Sequence, residues 1–183
     1  DIRKILQAIC LVIDEASRRK QSVTQYDIVK TLFIADRAHL NDFGRPITFD
    51  NYVAMKDGPV PSLSYNLLKS EKQSLQKHNL HKLPWYKEVD HHNNKKYYFY
   101  IENYIVDEDV LSESDICALR NALTVIKTLS FSQIRALTHE DPAYKEAWTD
   151  DAVRSSIKMS LGMLFDSPDF GAAEDIEFMS KHR

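Results

Sequence analysis

The sequence is short of the residues that let loops perform chemistry. Four glycines occur in 183 residues, too few for a glycine-rich cradle around a phosphate. The two cysteines, Cys10 and Cys117, lie in apolar helical stretches without metal or redox spacing, so two reduced thiols are expected. No apolar run approaches the roughly 18 residues that a membrane-spanning helix needs. Positive charge is not in excess either. The net charge is −3 and the pI about 6.2, which argues against a general nucleic-acid binder. His-Glu-x-x-His, Cys-x-x-Cys, P-loop and Gly-x-Ser-x-Gly patterns are all missing. There is no internal repeat and no low-complexity segment. Asp1-Ile2-Arg3-Lys4 opens into amphipathic sequence rather than a secretory leader, and the expected location is cytoplasmic.

What is present is a capacity to fold. Hydrophobic residues make up 43% and charged residues 28% of the chain, enough apolar material for one core-bearing domain. Ile2, Ile5, Leu6, Ile9, Val12, Ile13 and Ala16 recur at helical spacing, and Arg18-Arg19-Lys20 suits a helix C-terminus. Thr24 with Asp27 predicts a capped second helix through Ile28, Leu32, Phe33 and Leu40, which Gly44 ends. Tyr52-Val53-Ala54-Met55 is β-prone, Asp57-Gly58-Pro59 signals a turn, and Ser62 is a candidate cap for a short helix through Leu68. The polar stretch 70–83 predicts nothing definite. Aromatic and β-branched runs at 85–89 and 97–101, around an Asn-rich centre, predict an antiparallel hairpin around residues 85–101. Ser112/Asp115 and Ser130/Gln133 predict two more capped helices. A last helix, capped by Thr149 or Asp150, would carry Val153, Ile157, Leu161 and Leu164. After Phe165 the composition turns polar and a loose tail is expected. The fold class is therefore α+β, predominantly α-helical: a helical domain over 1–165 with a small antiparallel β element, then a polar C-terminal tail over 166–183.

Unusual residues concentrate between Phe33 and Pro61. Asp36 lies four residues after Leu32 and four before Leu40, so it points along the apolar face. An unpaired carboxylate there costs several kcal/mol, about what a broken buried pair costs. It must pair with Arg45 or Lys56, or accept backbone N–H groups from the segment Arg45–Tyr52. His39 lies near the same edge. Such a knot either locks the following loop onto the helix or does catalysis. Gly58-Pro59-Val60-Pro61 predicts a stiff loop, serving as a partner surface or as a rigid connector.

These residues also carry a resemblance. Ala-Asp-Arg-x-His-Leu (35–40), Gly-Arg-Pro-Ile-Thr (44–48) and Val-Ala-Met-Lys-x-Gly-Pro-Val-Pro (53–61) resemble the signature stretch of Panacea-domain, SocA-like antitoxins, often phage-associated. Leu137-Thr138-His139-Glu140-Asp141-Pro142, continuing to Trp148, resembles the family's second element. Leu111-Ser112-Glu113-Ser114-Asp115 resembles the helix start before it. Tyr144 departs from the family, where tryptophan is frequent. The resemblance implies a non-enzymatic protein that neutralises a co-encoded toxin by direct binding, in one branch as an adaptor to a cytoplasmic AAA+ protease. Operator DNA would be a further partner if the chain represses its own promoter. No cofactor, no metal and no membrane are implied. Asp36, His39, Arg45, Tyr52, Lys56, Gly58, Pro59 and Pro61 form one structural or partner-binding cluster, and His139, Glu140, Pro142 and Trp148 a second, packed beside it.

The rival reading is a metal-dependent hydrolase or nuclease built from His39, His139, Asp36, Glu140 and Asp141. Further histidine pairs, His78 with His81 and His91-His92, fall in polar segments where solvated side chains are the commoner outcome. Strand alternation puts Tyr98 and Tyr100 on one face of the hairpin and Tyr97 and Phe99 on the other. One face belongs to the core and the other to an interface.

Overall fold

The structure is a computed structural model and describes residues 1–91, 96–107, 109–149 and 155–181. Helix α1 (Ile2–Arg18) is capped by Asp1 and buries Ile5, Ile9, Val12, Ile13 and Ala16. Helix α2 (Gln25–Phe43) begins in a capping box of Thr24 and Asp27 and ends at Gly44, whose φ of 72° is the left-handed C-cap. The chain then forms an antiparallel pair, β1 (Tyr52–Met55) with β2 (Gly58–Pro61). Next come α3 (Ser62–Lys69), α4 (Lys72–Lys77) and the hairpin β3 (Trp85–Asp90) with β4 (Lys96–Ile101). Helices α5 (Glu113–Thr128) and α6 (Phe131–His139) each open with the Ser-led capping box expected of them. Helix α7 (Pro142–Ala147), strand β5 (Ile157–Lys158), a 3-10 turn (Leu161–Leu164) and α8 (Phe170–Lys181) complete the described chain. The protein is α+β and predominantly helical.

Helix α2 is the axis. Ile28, Leu32 and Ala35 face a core shared with α1, α5 and the β3–β4 hairpin. Phe33 and Leu40 face a second core with Tyr52, Ala54, Tyr144, Met159, Leu164 and Ile176. A helix covered on two sides loses its solvent stripe, which is why Lys30, Thr31, Asp36 and His39 are all buried.

Several expectations need correcting. Gly58-Pro59-Val60-Pro61 is a buried strand rather than a presented loop. Two prolines are tolerated because β2 is the edge of the sheet β2-β1-β5, where missing N–H groups break no ladder. Ser62 is the first residue of α3, and its cap comes from a distance: Asp50 accepts from Leu63 N (3.0 Å) and Ser64 N (2.8 Å). The helix expected through Ile157 and Leu164 does not form there. Ile157 pairs with Ala54 in the sheet, and Leu161–Leu164 is a 3-10 turn; Asp150 and Val153 lie outside the described residues. Beyond Phe165 the chain is not loose, for α8 buries Ala173 and Ile176. Gly162 permits this docking: a Cβ there would lie 2.6 Å from the Phe170 ring. On the hairpin, Phe99 is the core residue and Tyr97 is exposed; His92 falls outside the described residues, and His91 is exposed.

Candidate functional site

The Phe33–Pro61 segment builds its polar centre from the α2 carboxylate outward. Asp36 Oδ1 accepts the backbone N–H groups of Ile47 (2.8 Å) and Thr48 (2.9 Å). Its Oδ2 accepts the Thr48 hydroxyl and the Tyr52 hydroxyl, the latter at 2.8 Å. Of the two arrangements open to it, the carboxylate takes backbone and hydroxyl donors rather than a cation. Burial raises its pKa above the usual carboxylate range, while the four donors pull it back. Tyr52 is held well above its ordinary pKa by burial and by the neighbouring Asp36 charge.

Arg45 goes elsewhere, to a hub on α5. Asp115 is fully buried and meets Lys4 Nζ at 2.7 Å, Arg45 Nη2 at 3.0 Å and His39 Nε2 at 3.1 Å. His39 Nδ1 lies 2.8 Å from the Arg45 carbonyl, so the imidazole bridges the loop to α5. Burial of Asp115 opposes ionisation, but the Lys4 bond, the Ser112 N–H and the Arg45 charge leave its pKa below the ordinary value. The same residue completes the α5 capping box. It therefore joins α1, α5 and the loop after α2 at one carboxylate.

The two sequence elements also meet through residues outside the expected clusters. Arg37 Nε lies 2.5 Å from Asp141 Oδ2, and Nη1 lies 3.0 Å from Asp166 Oδ1. Asp141 also caps α7 through Ala143 N (2.9 Å). Tyr144 donates its hydroxyl to the Met55 carbonyl at 2.8 Å, which ties α7 to β1. The His139 ring lies tilted against Tyr144 with centroids 4.4 Å apart, and Tyr144 stacks on Trp148 at 6.3 Å. Glu140 and Pro142 are exposed, Glu140 in an ion pair with Lys145. The second cluster thus lies beside the first at Gly58, where a Cβ would come within 3.5 Å of the His139 ring, while Tyr144 reaches Met55.

A third feature went unrecognised in the sequence. Lys30 is 1% exposed, donates to the Pro59 carbonyl at 2.9 Å and sits 5.3 Å from the centroid of the Tyr26 ring. Burial brings its pKa down to about 7, against a smaller opposing pull from Asp57. Gly58, at φ 100°, lets the strand pass: a Cβ there would lie 2.7 Å from both Lys30 Nζ and Thr138 Oγ1. The signal was available, since Lys30 precedes the buried Phe33 by three residues and so shares its helix face. Lys30 lines an open groove of about 790 Å³ between α2, the β1–β2 pair, α3, β4, the end of α5 and α6. Lys56 is exposed at its edge.

The rival acid–base constellation is not assembled. His39 faces Asp115, Asp36 faces Thr48 and Tyr52, Asp141 faces Arg37, and His139 lies against Tyr144. Among the described residues, no group of three His, Cys, Asp or Glu side chains is placed to hold a metal ion. None of the described helices is long and apolar enough to cross a membrane.

Comparison with known proteins bears on what this framework is for. No curated protein and no solved structure matches the chain. Residues 28–145 match the family model described as antitoxin SocA-like, Panacea domain. That span contains Lys30, Asp36, Arg37, His39, Asp115 and Asp141, the polar residues that join the elements.

Proposed function

The chain belongs to the SocA-like antitoxin family with a Panacea domain, and from that premise we propose that it neutralises a co-encoded protein toxin by direct binding. One observation carries the reading. The charged and polar side chains best suited to chemistry are committed to holding the scaffold: Asp36 to a loop, Asp115 to Lys4, Arg45 and the His39 ring, Arg37 to Asp141. A group locked in this way has no free lone pair or proton for a substrate, so the surface does the work and the interior keeps it rigid. A rigid surface loses little entropy on association.

On this reading residues 1–165 are the antitoxin domain and 166–183 an appendage to it. The protein acts in the cytoplasm, without cofactor or metal. Delivery of the bound toxin to an AAA+ protease, and repression of operator DNA, are elaborations of the same binding role. The clusters named above are then scaffold first, with Lys56 at the groove edge as the matched position best placed to touch a partner.

The test is co-expression with the neighbouring reading frame. The tagged chain should restore growth and co-purify with the neighbour's product as a complex of constant composition. Growth restored while the chain purifies alone, with the toxin unbound and chemically altered, would replace the binding reading with an enzymatic one.

A further inference from the structure

The groove above Lys30 has a chemistry opposite to that of the molecule. The chain carries a net charge of −3, yet Lys56, Lys69 and Lys96 stand exposed around this one opening. None of the three has a carboxylate partner among the described residues, whereas the acidic residues of the lining are already engaged, Asp27 with Lys127 and Asp57 with Arg135. Between the lysines the walls are apolar: Met55, Val60, Ile134 and the mutually tilted rings of Tyr26 and Phe131, with centroids 4.8 Å apart. Phe131 is 55% exposed, a large apolar surface left to solvent.

We infer that this groove is the docking surface for an acidic, apolar-anchored segment of the partner protein. Carboxylates of that segment face Lys56, Lys69 and Lys96, and an aromatic or aliphatic side chain seats against Tyr26 and Phe131. Complementary charge speeds encounter and fixes register, while the apolar anchor supplies the affinity. A nucleic-acid strand fits less well, because its phosphate backbone gains nothing from the apolar walls of Met55, Val60 and Ile134. The inference rests on the antitoxin reading only in taking the partner to be the toxin.

Two measurements on the full chain separate the two ideas. The first is binding of a fluorescent octapeptide alternating Glu and Leu, beside its Lys–Leu counterpart and a single-stranded oligonucleotide of equal charge. The chain should bind the acidic peptide best, and the triple variant K56E/K69E/K96E should bind it at least about tenfold more weakly, with stronger loss at low salt. All three positions are exposed, so the variant should melt like the parent, and Phe131→Ala should weaken binding without altering the salt dependence. The second is co-purification of the neighbouring gene's product with parent and triple variant. Loss of that complex in the variant supports the groove as the toxin's site. A complex that survives the triple variant overturns the groove while leaving the antitoxin reading standing. Acidic-peptide binding without any toxin complex keeps the groove and removes the toxin as its occupant. Equal binding of acidic and basic peptides, or tighter binding of the oligonucleotide, overturns the inference.

Discussion

Lys30 holds its ammonium group on the Pro59 carbonyl with almost no water around it, and its folded-state pKa of about 7 lies below its ordinary 10.5. The sign of the consequence follows from proton counting. Between these two values the unfolded chain keeps a proton that the folded chain has released, so stability rises with pH across that window. It is lost as pH falls through about 7. Lys30→Met keeps the apolar stem and removes the charge. It should flatten the rise seen in thermal melts from neutral to alkaline pH and raise stability near neutrality, by a few kcal/mol at most. About 1 kcal/mol of that is offset by the Pro59 carbonyl losing its donor. Parallel pH profiles for parent and variant would mean that Lys30 is solvated. Single residues were unevenly legible. The need of Asp36 for partners follows from Leu32 and Leu40 four positions either side, but that Arg45 serves Asp115 instead depends on the packing of α5, which no local spacing encodes.

At the scale of elements, capping chemistry was the most legible layer because its partners are three residues apart: Thr24/Asp27, Ser112/Asp115 and Ser130/Gln133 all form the boxes their spacing predicts. Tertiary pairing was not. Ile157 and Leu161 fit a helical period by coincidence, while the ladder to Ala54 decides the outcome. Pro59 and Pro61 looked like a loop because prolines usually interrupt sheets, and only the edge position of β2 makes them acceptable. Two α2 side chains hold the loop 44–51: His39 at the Arg45 carbonyl and, with more bonds, Asp36 at Ile47, Thr48 and Tyr52. Asp36→Ala would strand the Ile47 and Thr48 N–H groups and leave the Tyr52 hydroxyl unpaired, a loss on the order of 3–5 kcal/mol. That should appear as a melting temperature lowered by roughly 10 °C in a chain of this size. Asp36→Asn, whose oxygen still accepts the two N–H groups, should recover much of it. Unchanged melting of Asp36→Ala, with function lost, would give Asp36 a role in chemistry instead of in the frame.

The whole molecule is two cores that share one helix, α2, and the family match covers that helix from Ile28 onward together with α5 and the α6–α7 corner. Charged residues inside tie these parts together, and three exposed lysines without a carboxylate partner among the described residues, Lys56, Lys69 and Lys96, line one groove outside. This division of labour is what a binding protein needs: a frame that does not yield, and a surface free to choose its partner. The most direct measurement is a titration of the purified chain into a fixed amount of the active neighbouring gene product, followed over time. Binding predicts that toxin activity falls in proportion to added chain, reaches zero near equimolar addition and does not drift further. Complete loss of activity at a small fraction of that amount, progressing with time, would mean turnover and would contradict the account.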